Sequence, residues 1–260
     1  MTDKLQFLDC SHPAGSVRLA VQARQGKAPA ILWLGGFMSD MTSTKAAALD
    51  AWAAAQGHAS VRFDYSGHGT SGGRFEDGTI GQWLDEALAL IARFGGPAPV
   101  LAGSSMGGWI ALLATLRLRA TGSPQHPSGL VLIAPAVDFT QALMWAAFPA
   151  EVKRQIETTG LWHRASEYSE TPYPITRALI EDGRRHLLYG KPFHLGCPVH
   201  ILQGGLDPDV PQAHALKLVE HLPQDPVTVT LIPDGNHRLS RDEDIATLVR
   251  VTAAMAGGAA

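Results

Sequence analysis

Residues 100–109 read VLAGSSMGGW, and this stretch decides how the rest of the chain is interpreted. Its first half is an apolar run typical of a buried strand, and its second half opens an apolar segment without proline that predicts a helix. Between the two halves lies the pattern Gly103-x-Ser105-x-Gly107. Glycines on both sides of the serine permit a tight turn that lifts its hydroxyl clear of the sheet. We therefore predict that Ser105 is a nucleophile. The alternative is a glycine-rich turn in which the serine has no catalytic role.

The same turn places the backbone N–H of Met106 at the start of the predicted helix. A helix N-terminus carries partial positive charge, which stabilises an oxyanion. A second oxyanion donor is expected from the loop that follows the apolar run 30–34. Gly35 and Gly36 let the backbone turn there, so we predict that the N–H of Phe37 is this second donor. The alternative is that the two glycines only form a tight turn.

The composition bounds the class of protein. The chain has 260 residues, of which 45% are hydrophobic and 17% charged, and this is enough for one sizeable core. Its net charge of −3 and the lack of a basic stripe argue against nucleic acid as a partner. Two distant cysteines and 11 scattered histidines have no metal-ligand spacing, so no metal is predicted. No nucleotide-binding glycine pattern follows the first strand, so no cofactor is predicted.

We expect neither a targeting segment nor a membrane span. Residues 1–7 lack the apolar stretch of a signal peptide and the basic amphipathic pattern of an organelle presequence. No apolar run is long enough to cross a bilayer. The sequence therefore predicts a cytoplasmic protein without stable membrane insertion.

Apolar runs alternate with amphipathic segments along most of the chain. Two short strands, 5–8 and 17–22, are predicted to form an antiparallel hairpin at a sheet edge. Buried strands are predicted at 30–34, 59–63, 100–102, 129–133, 199–203 and 227–232, and helices at 44–56, 79–94, 106–115, 211–221 and 242–255. Strands separated by helices indicate an α/β fold with a mostly parallel, doubly wound sheet. Functional residues of such sheets lie beyond the carboxyl ends of the strands.

Between residues 137 and 195 this alternation breaks. The segment is rich in aromatic residues and proline, which is not the composition of a disordered linker. We predict that it is a small helical cap, with helices at 141–158 and 174–188, inserted into a core of residues 1–136 and 196–260. Its apolar residues are candidates for an acyl pocket, with simple packing of the cap onto the core as the alternative. These candidates are Leu143, Met144, Trp145, Phe148 and Trp162.

A serine hydroxyl needs a base and an orienting acid to act as a nucleophile near neutral pH. In α/β sheets with this serine turn, the three residues follow the chain order serine, acid, histidine. We predict His237, after the last strand, as the base. We predict Asp207 as the acid, because it lies near the end of the preceding strand. Asp209, which is also placed to cap the next helix, and Asp234 remain alternatives.

Other residues that could carry acid–base chemistry are predicted to have no catalytic role. Asp64 and the turn 67–69 are predicted to shape a loop beside the site. His68, His194 and His214 are predicted to be surface or loop residues without a catalytic role.

Several runs carry a resemblance to a known family. They are GFMSDM at 36–41 followed by TKA at 44–46, RFDYSG at 62–67, DYSGHGTS at 64–71 and GSSMGGW at 103–109. Together they resemble the α/β-hydrolase superfamily, in the branch that contains the mitochondrial protein depalmitoylases and acyl-glucuronide esterases. The resemblance implies the α/β-hydrolase fold over nearly the whole chain and the hydrolysis of acyl esters or thioesters without a cofactor.

By motif, the resemblance implies Ser105 as nucleophile, Asp207 as acid and His237 as base, with Phe37 and Met106 as oxyanion donors. It implies a small-molecule ester or acyl thioester as substrate, with an S-acylated protein as a further candidate. High alanine content and the lack of a presequence suggest a bacterial member. An acyltransferase or a perhydrolase would use the same three residues, whereas a ligand-binding protein on this scaffold usually lacks one of them.

Overall fold

An eight-stranded sheet forms the centre of the computed structural model, which describes residues 4–12, 15–165 and 172–257. The strands are β1 Gln6–His12, β2 Gly15–Arg24, β3 Lys27–Leu34, β4 His58–Phe63, β5 Val100–Ser104, β6 Gly129–Ile133, β7 Leu161–Arg164, β8 Tyr173–Thr176, β9 Val199–Gly204 and β10 Val227–Ile232. The large sheet has the order β1-β2-β4-β3-β5-β6-β9-β10, and β7 and β8 form a separate sheet. β1 and β2 pair antiparallel with their neighbours, whereas the other strands of the large sheet run parallel.

Helices cover both faces of the large sheet. The helices are α1 Thr44–Gln56, α2 Ile80–Phe94, α3 Met106–Ala120, α4 Ala150–Thr159, α5 Arg177–Gly183, α6 Gln212–Glu220 and α7 Asp242–Met255, with 3-10 turns at Phe75–Asp77 and Arg184–His186. Of these, α4 packs on β7, and α5 packs on β8 and α2, rather than on the large sheet. Successive side chains of a strand point to opposite faces. Ile31 and Trp33 in β3 accordingly belong to the core cluster under α1 and α7. Leu32 and Leu34 belong to the cluster under α2 and α3. The predicted doubly wound α/β fold is confirmed.

Most predicted core elements agree with the structure to within a few residues. The helix predicted at 44–56 is α1, and Gly57 ends it with a left-handed backbone (φ 74°). α2 begins directly after Thr79, whose hydroxyl accepts a hydrogen bond from the N–H of Gln82 at 3.2 Å. α3 is buried on nearly all sides, which explains why its sequence is apolar all round. No helix among the described residues is long and apolar enough to cross a membrane.

The predicted cap helix 141–158 is wrong, because the chain breaks it into two pieces. A π-helical turn covers Thr140–Trp145, and α4 starts only at Ala150. Pro149 stands between the two pieces. Proline has no N–H to continue a helix, and its ring disfavours helical backbone at the residue before it. At this position the proline therefore outweighs the helical spacing of the apolar residues around it.

The predicted cap helix 174–188 is wrong over its first residues and at its end, because α5 stops at Gly183 and only a 3-10 turn, Arg184–His186, follows. Tyr173–Thr176 is the strand β8, which pairs antiparallel with β7. The helix α5 begins only at Arg177, and the hydroxyl of Thr176 caps it by accepting a hydrogen bond from the N–H of Leu179 at 3.1 Å. A threonine is a good residue for ending a strand and capping the next helix, because its side chain replaces one missing hydrogen bond.

The two ends of the inserted segment lie close together beside the core. The carboxylate of Asp138 accepts hydrogen bonds from the N–H groups of Leu188 and Tyr189 at 2.8 and 2.9 Å. Burial raises the pKa of Asp138, and these two hydrogen bonds oppose that effect. Nε2 of His214 donates to the carbonyl oxygen of Val137 at 2.8 Å. These contacts fasten the two ends of the inserted segment to the core. The cap boundaries at 137 and 195 stay a prediction.

Candidate active site

Ser105 lies in the sharp turn between β5 and α3. Its backbone has φ 53° and ψ −117°, which is unusual for a residue with a side chain. The N–H of Ser105 donates to the carbonyl oxygen of Ile133 at 2.9 Å, and this bond ties the turn to the end of β6. The turn therefore holds the serine in a strained conformation at the carboxyl edge of the sheet, where a strand-to-helix nucleophile is expected.

Two glycines make this turn possible. A methyl group at Gly103 would overlap the carbonyl oxygen of Gly107, and one at Gly107 would overlap the carbonyl oxygens of Leu34 and Gly35. The backbone of α3 thus passes directly against β5 and the end of β3. Any side chain at these two positions would push the helix away from the sheet.

We expect Gly107→Ala to destabilise the protein by about 2–3 kcal/mol, because the new methyl group meets rigid backbone rather than a movable side chain. The measurement is the free energy of unfolding from urea denaturation. Gly190→Ala is the matched control, since the space around a methyl group at Gly190 is open within 4 Å. The control should stay within about 0.5 kcal/mol of the wild type. Equal stability of the two variants would contradict this account of the turn.

His237 and Asp207 stand in line with the serine hydroxyl. Nε2 of His237 lies 3.2 Å from Oγ of Ser105, and Nδ1 lies 2.9 Å from Oδ2 of Asp207. Asp207 is 7% exposed, and its other oxygen accepts hydrogen bonds from the N–H groups of Asp209 and Val210 at 2.9 and 2.8 Å. A carboxylate fixed in this way keeps the Nδ1–H tautomer of the imidazole, which leaves Nε2 free to accept the serine proton.

The two alternative acids lie in different surroundings. Asp209 donates its N–H to Asp207, whereas the carboxylate beside His237 is that of Asp207. Asp234 instead binds the guanidinium of Arg241 with both oxygens, at 2.6 and 3.1 Å, and this contact lowers the pKa of Asp234. The geometry therefore favours Asp207 over both alternatives as the partner of the imidazole.

Lys45 is a residue near the site to which the sequence analysis gives no role. Its side chain is 9% exposed, and its ammonium donates to the carbonyl oxygen of Arg238 and to Oγ of Ser240. Burial lowers the pKa of Lys45 to about 8. Because Arg238 directly follows His237 in the chain, this contact ties the start of α1 to the loop that carries the imidazole.

The two predicted oxyanion donors belong to residues that line the same cavity as Ser105. Met106 is the first residue of α3, and Phe37 follows the turn after β3. Within the described part of the chain, neither backbone N–H has a protein acceptor. Two N–H groups left open beside a serine hydroxyl are the arrangement that stabilises a developing oxyanion.

The three histidines predicted to be ordinary differ in their surroundings. His194 is partly exposed and lies 3.2 Å from the carboxylate of Asp225, and His214 fastens the base of the inserted segment. His68 lies on a loop, as expected, but its side chain is only 4% exposed, so it is not a surface residue. Its Nε2 accepts a hydrogen bond from the N–H of Met38 at 3.2 Å. On the loop that carries Met38, the N–H of Met41 donates a hydrogen bond to the carboxylate of Asp64 at 2.7 Å.

A polar cavity of about 460 Å³ opens on one side of Ser105 and His237. Its wall includes Trp33, Ser43 and Lys45. The indole N–H of Trp33 and the hydroxyl of Ser43 are buried and have no hydrogen-bond partner among the residues that the structure describes. Unpaired buried polar groups are costly, so a bound molecule with hydrogen-bond acceptors would be favoured here.

A second cavity, which we call the cap cavity, opens on the other side of the same two residues. Its volume is about 480 Å³, and its wall combines apolar side chains with the polar groups of Arg164 and Asp209. Residues of the core and of the inserted segment contribute to it, and those of interest are Met106, Phe139, Leu143, Met144, Tyr173 and Val210. The apolar side chains among them fit a hydrocarbon chain.

Only some of the predicted acyl-pocket residues line the cap cavity. Leu143 and Met144 do, whereas Trp145, Phe148 and Trp162 are not among the described residues of its wall. The ring of Trp145 instead lies 4.9 Å from the guanidinium of Arg184. The rings of Phe148 and Trp162 pack edge to face at 5.1 Å inside the cap. For these three aromatic residues the alternative of packing describes the structure better, because their rings contact other side chains of the inserted segment.

A group of possible metal ligands coincides with the catalytic candidates. Ligand atoms of Asp207, Asp209 and His237 lie within 4.8 Å of one another. Both oxygens of Asp207 already accept hydrogen bonds, and one of them serves the imidazole. The group is therefore explained by the serine–histidine–aspartate geometry, and the expectation of no metal stays a prediction.

Comparisons with known proteins agree with this fold. The model of the Alpha/beta hydrolase family matches residues 31–251. The palmitoyl-protein thioesterase ABHD10, mitochondrial, of Bos taurus is 35% identical over 232 residues, which are 89% of this chain and 74% of that protein. The Homo sapiens protein of the same name is 34% identical over the same shares.

Two solved structures extend the likeness to nearly the whole chain. A crystal structure from Agrobacterium vitis S4 has a TM-score of 0.95 and 46% identity, and the match covers 98% of this chain and 100% of that one. The alpha/beta hydrolase domain-containing protein 10 from mouse has a TM-score of 0.86 and 31% identity, covering 97% and 98%. The chain is therefore a hydrolase of the alpha/beta hydrolase family.

Proposed function

We propose that this hydrolase cleaves carboxylic esters and acyl thioesters with Ser105 as nucleophile, His237 as base and Asp207 as acid. One observation carries the proposal. It is the hydrogen-bonded chain from Asp207 through His237 to Ser105, with distances of 2.9 and 3.2 Å, beside two open backbone N–H groups. This arrangement has the geometry that acyl transfer to a serine requires.

The proposed reaction has two halves. Oγ of Ser105 attacks the carbonyl carbon while its proton moves to Nε2 of His237. The oxyanion is held by the N–H groups of Phe37 and Met106, and the carboxylate of Asp207 stabilises the imidazolium. The tetrahedral intermediate then expels the alcohol or thiol, which takes the proton from His237, and leaves an acyl-enzyme. Water, activated by His237, repeats the sequence and releases the carboxylic acid.

The two cavities suggest how the substrate lies. The apolar side chains of the cap cavity suit the acyl chain, and the polar cavity suits a leaving group that carries hydrogen-bond acceptors. The name of the ABHD10 relatives, palmitoyl-protein thioesterase, supports a long acyl chain and a thioester bond. We therefore propose a small-molecule ester or acyl thioester as substrate, and an S-acylated protein as a second candidate with the same bond. The cytoplasmic location stays a prediction, since these relatives are named as mitochondrial.

Hydrolysis of p-nitrophenyl esters and acyl thioesters of graded chain length tests this orientation. We expect Leu143→Trp to lower kcat/KM for long acyl chains by about 10-fold or more, because the larger ring fills the cap cavity, while short chains are hydrolysed nearly as well as by the wild type. Met144→Ala should shift the preference toward longer chains. Trp145→Ala is the matched control from outside the cavity wall and should leave the profile unchanged. Identical chain-length profiles in all four proteins would contradict the proposed acyl site.

A further inference from the structure

His68 is a buried histidine that contacts the loop carrying one of the proposed oxyanion donors. It lies on the loop after β4 and is 4% exposed. Its Nδ1 is 3.0 Å from the carbonyl oxygen of Ser66, and its Nε2 is 3.2 Å from the backbone nitrogen of Met38. Met38 directly follows Phe37, so the imidazole bridges two loops at the edge of the site.

The partners of His68 define its tautomer. A carbonyl oxygen only accepts, so Nδ1 must carry the proton and donate to Ser66. A backbone N–H only donates, so Nε2 must offer its lone pair to Met38. Burial lowers the pKa of His68, while the bond to Ser66 and the charge of Asp64 act in the opposite direction. The imidazole is therefore neutral at neutral pH, as its role as an acceptor requires.

The loop that His68 holds is not in a relaxed conformation. Met38 has φ 59°, in the left-handed region that residues with side chains rarely adopt. Such a conformation persists only where surrounding contacts hold it. The N–H of Ser39 donates to the carbonyl oxygen of Gly36 at 3.1 Å, which closes a tight turn around Phe37 and Met38. The bond to His68 ties this turn to the body of the protein.

Aromatic packing links the same two loops. The ring of His68 contacts Phe75 and Trp83 at centroid distances of 5.0 and 5.2 Å. The ring of Phe37 contacts the same two side chains at 4.8 and 6.1 Å. Packing therefore fixes the side chain of Phe37, and the hydrogen bond to His68 fixes the peptide that follows it. The two together determine where the N–H of Phe37 points.

We propose that His68 is a positioning residue for the oxyanion hole: by accepting the N–H of Met38 through Nε2, it holds the neighbouring N–H of Phe37 toward Ser105. The inference rests on the proposed function, because it needs an oxyanion formed at Ser105. It gives a side chain through which a backbone donor can be tested. Only proline would remove the N–H of Phe37 itself, and that substitution would also remove the packed ring and restrict the backbone of the turn.

Two substitutions separate the acceptor from the rest of the imidazole. In His68→Gln, the side-chain carbonyl reaches about as far as Nε2 and can still accept from Met38. In His68→Asn, the shorter amide reaches only about as far as Nδ1, so it keeps a donor for Ser66 and loses the acceptor. Both variants are polar and neutral. Gln keeps the acceptor for Met38 and gives up the donor to Ser66, whereas Asn keeps the donor to Ser66, so only Asn removes the hydrogen bond under test.

The measurements are kcat and KM for a p-nitrophenyl ester and the inhibition constant of an alkyl trifluoromethyl ketone, which forms an oxyanion on Ser105. We expect His68→Asn to lower kcat by about 10- to 100-fold with KM within about twofold, and to weaken ketone binding by the same factor as kcat/KM. His68→Gln should stay within about threefold of the wild type in both. A role confined to stability would change the melting temperature and leave ketone affinity unchanged.

His58 provides the control for removing a buried histidine. It is 5% exposed, donates from Nδ1 to the carbonyl oxygen of Pro29 at 3.0 Å, and lies at the opposite end of β4. His58→Asn is expected to lower stability without changing kcat or ketone affinity. The inference is overturned if His68→Asn matches the wild type in kcat and ketone affinity. It is also overturned if His68→Gln and His68→Asn lower kcat and ketone affinity equally. If Ser105→Ala keeps full activity, the proposed function fails instead.

Discussion

Replacing Ser105 by alanine is expected to lower kcat for ester hydrolysis by about a million-fold. The remaining rate is the one that substrate binding and the oxyanion hole support without a nucleophile. The reason is that the hydroxyl is the only group that the hydrogen-bonded chain from Asp207 and His237 activates. The measurement is the release of p-nitrophenol from a short-chain ester, with fluorophosphonate labelling of the active serine as a second readout. Labelling should disappear in the variant together with turnover.

Ser128→Ala is the control for removing a serine hydroxyl. Ser128 is exposed and precedes β6 at the opposite edge of the sheet, so both turnover and labelling should equal those of the wild type. Full activity of Ser105→Ala would remove the serine mechanism from this chain. Labelling that persists after the substitution would place the nucleophile at another residue.

Asp207→Asn is expected to lower kcat by about 10,000-fold while the fold is kept. The carbonyl oxygen of the new amide can still accept from the N–H groups of Asp209 and Val210, as the carboxylate does. Its NH2 group would then face Nδ1 of His237, which favours the imidazole tautomer with the proton on Nε2. That tautomer cannot accept the proton of Ser105. Steady-state kinetics together with a melting curve tests both parts of this expectation.

Two matched substitutions decide which carboxylate orients the imidazole. Asp234→Asn removes one charge from an exposed pair with Arg241 and is expected to leave kcat unchanged. Asp209→Asn is expected to lower kcat by less than about 10-fold, because its carboxylate is not the one beside Nδ1. A loss of about 10,000-fold in Asp209→Asn, with a mild effect in Asp207→Asn, would assign the acid to Asp209.

Much of the core could be predicted from the chain alone, because local patterns and tertiary needs agree there. Side chains in the second half of β3 alternate between two buried faces, and residues 30–34 are therefore all apolar. The pattern around Ser105 identifies the strand-to-helix turn, since only glycine fits at 103 and 107. The rule that functional loops follow parallel strands brings Phe37, Ser105 and the loop of Asp207 to one edge.

The cap could not be predicted at the same level, because its segments are short and their periodicity is ambiguous. A helical spacing of apolar residues spans Pro149, and the proline breaks it. The residues of β8 take a strand partner, β7, which the local sequence does not indicate. Trp145 and Phe148 lie outside the described wall of the cap cavity although their neighbours Met144 and Ala147 line it, so their place follows from tertiary packing.

By itself, then, the sequence determined the class of fold and the turn that carries Ser105, and it predicted His237 as the base. Each of these inferences depends on residues that are neighbours along the chain. Only the tertiary structure decided which carboxylate faces the imidazole and which residues hold the two loops around the serine. Lys45 meets the loop of His237, and His68 meets the loop of Phe37, across sequence separations of 193 and 30 residues. Such contacts leave no local pattern, because they arise where separate strands end at one edge of a sheet.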